Sequence, residues 1–124
     1  GMTAHLVFED IDPDHPATQS AAMIDIIRKD IGFAGLLMTD DISMEALSGP
    51  LDLRGQKALS AGCDIILHCN GQMDQMQLLA DNSVGMGEAS QMRAARALAQ
   101  RPEVQPVDIQ QVKAEFDALL GEIR

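Results

Sequence analysis

The chain has 124 residues, a formal charge of −10 and 46% hydrophobic content, with three Phe and neither Trp nor Tyr. That is enough for one domain over 1–124 and too short for a complete eight-stranded α/β barrel, which takes about 250 residues. The negative charge opposes nucleic acid and anionic membranes as partners, the few aromatics leave no platforms for stacking bases, and no apolar run approaches the ~20 residues of a spanning helix.

Gly1 ahead of Met2 reads as the scar of a removed tag and is set aside. Residues 2–8 read as the end of a strand and the loop beyond it, and 10–16, with two prolines, as a polar turn. Thr18 or Ser20 can cap a helix over 21–31, whose apolar stripe is Ala22, Met23, Ile26 and Ile27. Gly32 ends that helix. A short strand over 35–39 follows, then a helical turn through Leu47, broken by Ser48, Gly49 and Pro50. A helix over 51–61 carries Leu53, Ala58 and Leu59 and stops at Gly62. Residues 64–67 form a continuous apolar run, as in a parallel strand covered on both faces. Helical periodicity then predicts three more segments. The first, 72–80, carries Met73, Met76, Leu78 and Leu79; the second, 87–100, carries Met92, Ala95 and Leu98. The third starts after Pro106, with Asp108 as its cap, ends near Gly121 and has a stripe through Ile109, Val112, Phe116, Leu119 and Leu120. The methionine-rich faces read as core packing. Strands alternating with helices predict parallel βαβ units and an α/β fold.

Cys63 and Cys69 flank one predicted strand. Six extended residues span about 20 Å, whereas a disulfide needs Cα atoms roughly 4.4–6.8 Å apart. Both therefore read as buried free thiols in a reducing compartment. No Cys/His cluster has metal-ligand spacing, so no metal site is expected.

The run Gly32-Phe33-Ala34-Gly35-Leu36-Leu37-Met38-Thr39-Asp40-Asp41-Ile42-Ser43-Met44 carries the most chemistry. A glycine-flanked turn feeds a short apolar strand that stops at Thr39 and two adjacent carboxylates. Acids just past the carboxyl end of a buried parallel strand lie where α/β barrels place catalytic groups. Asp40 or Asp41 equally suits the cap of the next helix. The run resembles the nucleophile region of glycoside hydrolase family 3. It is most similar to the bacterial β-N-acetylhexosaminidases of peptidoglycan recycling, whose pattern is Gly-Phe-x-Gly, a hydrophobic strand, Ser/Thr-Asp-Asp and Leu/Ile-Ser-Met. The likeness extends back to Met2-Thr3-Ala4-His5 and Asp12-Pro13-Asp14-His15-Pro16-Ala17-Thr18, and forward to Ala61-Gly62-Cys63-Asp64-Ile65-Ile66-Leu67-His68-Cys69-Asn70. Beyond that it is loose.

The resemblance implies a partial (β/α)8 TIM barrel: the last three βα units, with extra carboxyl-terminal helices. Residues 1–124 would then be the carboxyl-terminal part of the family's catalytic barrel. It implies Asp40 as the catalytic nucleophile, with Asp41 supporting the loop or capping the helix. The reaction implied is retaining hydrolysis of terminal β-N-acetylglucosamine from a muropeptide, in the cytoplasm, without metal or cofactor. Met2, His5 and Met44 are candidates for contacting the sugar. Met2 and Met44 equally fit packing at the barrel rim, and His5 and His68 equally fit hydrogen bonds to loop carbonyls. His15 reads as a solvated loop residue, Asp64 as structural, and Asn70 as able to reach the catalytic face. The family's acid/base, a His-Asp pair on a loop, has no counterpart in this sequence, nor do its Arg and Lys-His sugar contacts. The chain alone is therefore expected to be inactive, and a non-catalytic α/β remnant that binds a partner is the other reading. Unpaired outer strands are expected to drive self-association.

Overall fold

The computed structural model describes residues 1–122. In chain order it contains β1 (Val7–Phe8), β2 (Asp12–Pro16), a 3-10 turn (Ala17–Gln19) and α1 (Ala21–Asp25), which continues as a π-helical stretch (Ile26–Asp30). β3 (Met38–Asp41), α2 (Leu51–Ala61), β4 (Ile65–Leu67), α3 (Met73–Asn82), α4 (Glu88–Ala99) and α5 (Ile109–Glu122) follow. The fold is mixed α/β.

β3 lies at the centre of a parallel array. On one side it pairs with β4, Met38 opposite Ile65 and Asp41 opposite Leu67, with an irregularity between. On the other side Met2 bridges Met38 in parallel. Gly1 joins this array: its amino group donates to the Leu36 carbonyl at 2.7 Å and its own carbonyl accepts from Met38 N–H at 3.0 Å. Thr3 N–H continues the ladder to the Met38 carbonyl at 2.9 Å. The strand predicted over 35–39 begins later, at Met38, because Asp64 takes over the pairing at Leu37. The Asp64 carboxylate accepts from Leu37 N–H at 2.9 Å, and Asp64 N–H donates to the Leu37 carbonyl at 2.8 Å. Asp40 and Asp41 are consequently the last two residues of β3, not residues beyond it.

The segment 10–16, expected as a turn, forms an antiparallel hairpin, Val7 opposite Pro16 and Phe8 opposite Asp12. Prolines suit the edge of such a pair, where no N–H is needed. Asp12 organises it: one carboxylate oxygen accepts from the N–H groups of Asp14 and His15 at 3.2 Å each, and the other from Ser20 Oγ at 2.7 Å. Ser20, not Thr18, caps α1, accepting from Met23 N–H at 3.1 Å. The predicted 21–31 helix changes to π-helical geometry at Ile26. That widened turn carries Arg28, which donates to the carbonyls of Phe33 at 3.0 Å and Gly35 at 2.6 Å. Gly32 then closes the segment with a φ of 75°.

α2 packs between two small cores. One is Ile42, Leu47, Ala58 and Leu79, and the other is Ile24, Leu37 and Cys63. The expectation that the methionine stripes of α3 and α4 are core is overturned: Met73 is 71% and Met92 57% exposed. What α4 turns inward is polar. Ser90 Oγ donates to Asp64 at 2.6 Å, and Arg93 at 2.6 Å through Nη2. Arg28 Nη2 reaches the other Asp64 oxygen at 2.8 Å. The Asp64 side chain is 1% exposed, and a buried carboxylate demands such partners. Burial pushes the Asp64 carboxyl up, but the bonds from Arg93, Ser90 and Leu37 N–H outweigh it and hold the group far below the usual carboxylate range. Asp108 caps α5 through Gln110 and Gln111 N–H at 3.0 and 3.1 Å, while the apolar stripe of that helix stays exposed. No helix among the described residues is long and apolar enough to cross a membrane.

Candidate active site

The carboxyl end of β3 gathers the site. Thr39 is fully buried, and its hydroxyl accepts from Leu67 N–H at 2.9 Å, filling the gap where the β3–β4 ladder is irregular. Asp40 is half-buried. One of its carboxylate oxygens accepts from Asp41 N–H at 2.8 Å, and among the described residues no donor reaches the other. Asp41 is engaged on every side. It accepts from Ser43 N–H at 3.1 Å, Ser43 Oγ at 2.8 Å and, across the sheet, Cys69 N–H at 3.2 Å. Burial pushes the Asp41 carboxyl up, but the bonds from Ser43 and Cys69, with the His68 charge, prevail and lower it. The adjacent acids therefore differ: Asp41 is a structural brace, and Asp40 presents a free oxygen.

His5 comes beside this pair. Its Nε2 lies 2.9 Å from the Asp41 carbonyl and its Nδ1 2.8 Å from Thr18 Oγ1. Both ring nitrogens are thus committed to protein groups. Met2 lies on the strand segment flanking β3, and Met44 in the turn after it, both exposed. Met44 is held by its backbone: its N–H donates to the Asp41 carbonyl at 3.1 Å and its carbonyl accepts from Arg54 Nη1 at 3.1 Å. His68 bonds Gln75 at 3.1 Å through Nε2 and has a buried, unpartnered Nδ1. Asn70 also turns to Gln75, at 2.7 Å, and to Gln72 N–H. His15 is exposed on Asp12 at 3.1 Å.

Two site features lay outside the sequence reading. Arg54 pins the loop after β3 through Gly49 and Met44 carbonyls, and no sequence signal marks it. Cys69, expected to be buried, is exposed beside the acids. Its thiol is raised by desolvation and by the charges of Asp41 and Asp40. Cys63 is the buried thiol, and burial pushes it up to about 11. Both cysteines are free. Among the described residues no group of three or more His, Cys, Asp or Glu could hold a metal ion. A cleft of about 640 Å³ runs along β4 beside Met76, Leu79 and Met86, and neither acid lines it.

Residues 1–101 match the sequence profile of the glycosyl hydrolase family 3 N-terminal domain. The chain belongs to glycosyl hydrolase family 3. The beta-hexosaminidase of Alkalilimnicola ehrlichii is 43% identical over 72 residues, covering 56% of this chain and 20% of that protein. The crystal structure of CbsA from Thermotoga neapolitana is similar with a TM-score of 0.68 and 28% identity, over 84% of this chain and 26% of that one. NagZ from Neisseria gonorrhoeae, solved in complex with N-trifluoroacetyl-D-glucosamine, gives a TM-score of 0.60 and 29% identity, over 79% of this chain and 32% of that one. The chain thus spans 20% to 32% of the length of these family relatives.

Proposed function

We propose that this chain supplies the nucleophile-bearing part of a retaining β-N-acetylhexosaminidase, and that Asp40 is the nucleophile. The observation that carries the reading is the free Asp40 oxygen at the carboxyl end of β3, with its partner oxygen oriented by Asp41 N–H at 2.8 Å. In a retaining mechanism that oxygen bonds the anomeric carbon as the glycosidic C–O bond breaks, and water later cleaves the glycosyl–enzyme ester. The leaving oxygen needs a proton from a second group. Both ring nitrogens of His5 are engaged by protein groups, and His68 bonds Gln75 through Nε2 while its other nitrogen is buried, so neither offers that proton and the chain alone does not turn over. The substrate proposed is a muropeptide carrying terminal N-acetylglucosamine, in keeping with the ligand bound by the Neisseria relative. Met2 and Met44 would flank the sugar. The two free thiols support a reducing, cytoplasmic setting.

The architecture proposed is the last three βα units of a (β/α)8 barrel. It is supported by three parallel segments in which β3 is central, joined by helical crossovers. The outer edge of β4 and the cleft along it favour pairing with further strands, from another part of such a barrel or from a second copy. Concentration-independent monomeric mass in light scattering would exclude the second copy.

Function is tested by grafting residues 1–101 into the matching region of the Neisseria NagZ. The expected chimera hydrolyses an aryl β-N-acetylglucosaminide, and Asp40→Asn removes turnover by several orders of magnitude without unfolding it. An Asp40→Asn chimera with undiminished turnover refutes the assignment.

A further inference from the structure

We infer that His5 is a positioning residue for Asp40 and not a ligand of the sugar: from the strand segment beside β3 it holds the residue whose N–H aims the Asp40 carboxylate. This rests on reading Asp40 as the nucleophile. The contacts run in one line. His5 Nε2 meets the Asp41 carbonyl at 2.9 Å, and Asp41 N–H meets the Asp40 carboxylate at 2.8 Å. A carbonyl oxygen only accepts, so Nε2 carries the hydrogen. In the neutral ring Nδ1 is then the acceptor, and Thr18 Oγ1, 2.8 Å away, is its donor.

The base of this line is buried and rigid. Thr18 is fully buried, and its N–H donates to the Ala4 carbonyl at 3.3 Å. Its hydroxyl lies 2.9 Å from Thr3 Oγ1, itself buried. Thr3 N–H donates to the Met38 carbonyl at 2.9 Å. The short segment from Thr3 to His5 therefore grips β3 at its first residue and at its last. Protonating the ring reverses only the bond to Thr18, whose hydroxyl then turns to the Ala4 carbonyl at 3.1 Å. The grip on Asp41 persists in both states. The Asp41 carbonyl also accepts from Met44 N–H at 3.1 Å within the following turn, and the Asp41 side chain takes its bonds from Ser43 and Cys69, so His5 is the group that holds the Asp41 backbone from the neighbouring strand segment.

The test is nuclear magnetic resonance on the isotope-labelled 124-residue chain. In alkaline buffer, where the ring is neutral, the His5 ring nitrogen shifts should report hydrogen on Nε2 and a bare Nδ1, with scalar coupling across the hydrogen bond to the Asp41 carbonyl carbon. A ring with its hydrogen on Nδ1 overturns the inference without any substitution. In His5→Phe, the Asp41 carbonyl and Asp40 carboxyl carbons should shift by more than a linewidth. In His5→Gln, whose amide can donate at the Nε2 position, both should return toward their original values. A role confined to packing predicts instead that Gln gives no rescue. An unmoved Asp40 carboxyl carbon in folded His5→Phe refutes the proposal. If His5→Phe does not fold, the tautomer and coupling of the unsubstituted chain still decide. The NagZ chimera reports separately on Asp40: turnover there that ignores Asp40→Asn sinks the nucleophile, while these resonances continue to report whether His5 holds β3.

Discussion

Replacing Asp64 should destabilise the chain more than any other single polar substitution. The carboxylate is 1% exposed and accepts from two guanidinium groups, the Ser90 hydroxyl and Leu37 N–H. Removing one partner of a buried ion pair costs about 3–5 kcal/mol. The side chains of Arg28 and Arg93 are 18% and 23% exposed, so both can recover some hydration, which favours the lower end. Leu37 is buried and its N–H cannot recover hydration, a cost of about 1–3 kcal/mol for an unpaired group. The expected loss for Asp64→Ala is therefore about 3–4 kcal/mol, and less for Asp64→Asn, which keeps one acceptor. With a urea slope of about 2 kcal/mol per molar, the midpoint should fall by roughly 1.5–2 M. No Trp or Tyr is present to fluoresce, so pulsed alkylation of buried Cys63 across a urea series is the assay. The sign of the pH effect follows from a folded pKa held far below its unfolded value. The stabilisation is fully present above about pH 4 and drains away as pH falls toward the folded pKa. The gap between native chain and variant should be constant near neutrality and narrow in acid. A midpoint shift under about 0.5 M, or a gap that widens in acid, refutes this account.

Alkylation of the folded chain should modify exposed Cys69 and spare Cys63, as peptide mass analysis can show. Asp40→Asn removes a negative charge that raises the Cys69 thiol, so Cys69 should react faster in that variant at fixed pH; an unchanged rate means the two groups are not electrostatically coupled. Gly62→Ala should cost about 2 kcal/mol or more, because φ is 115° and the added Cβ would come 2.9 Å from Ile24 Cγ2. Denaturant melts give that value, and a neutral result would mean the turn relaxes freely. Ser20→Ala should lose about 1–2 kcal/mol through its cap on Met23 N–H, with Ser20→Asn keeping most of it; equal losses in both would rule out capping as the cause.

Legibility in the sequence followed the type of force involved. The α2 helix over 51–61 emerges with the bounds its periodicity predicts, because Ala58 and the glycine stop at Gly62 act locally. The caps at Ser20 and Asp108 are local as well, and were readable as residue types at fixed offsets. Asp64 was readable as structural from its place at a strand's amino end, but not as the partner of Arg28, Ser90 and Arg93, since nothing in spacing joins positions so far apart. That unseen network also explains the errors beside it. It drew Leu37 out of strand pairing and so carried β3 onto the two acids. It turned the polar face of α4 inward and left Met92 outside. The hairpin over Val7 to Pro16 was hidden because prolines and aspartates read as turn residues, whereas Asp12 uses its carboxylate to hold the extended chain. At the site, Asp40 and Asp41 look alike in sequence. Only the donors supplied by Ser43 and Cys69 separate the brace from the free carboxylate.

The exposed stripe on α5 bears on how the chain comes apart. Every residue from Ile109 to Gly121 is exposed, so the helix rests on its Asp108 cap and its own propensity. Helices of that length are marginal in water without packing. Amide hydrogens of α5 should therefore exchange with solvent orders of magnitude faster than those of α2, and a protease should trim the chain between 100 and 108 while the β3–β4 core stays whole. Ellipticity would decline gradually on warming before the cooperative step, and a single melting temperature would describe the core around Ile42 and Leu47 rather than the whole chain.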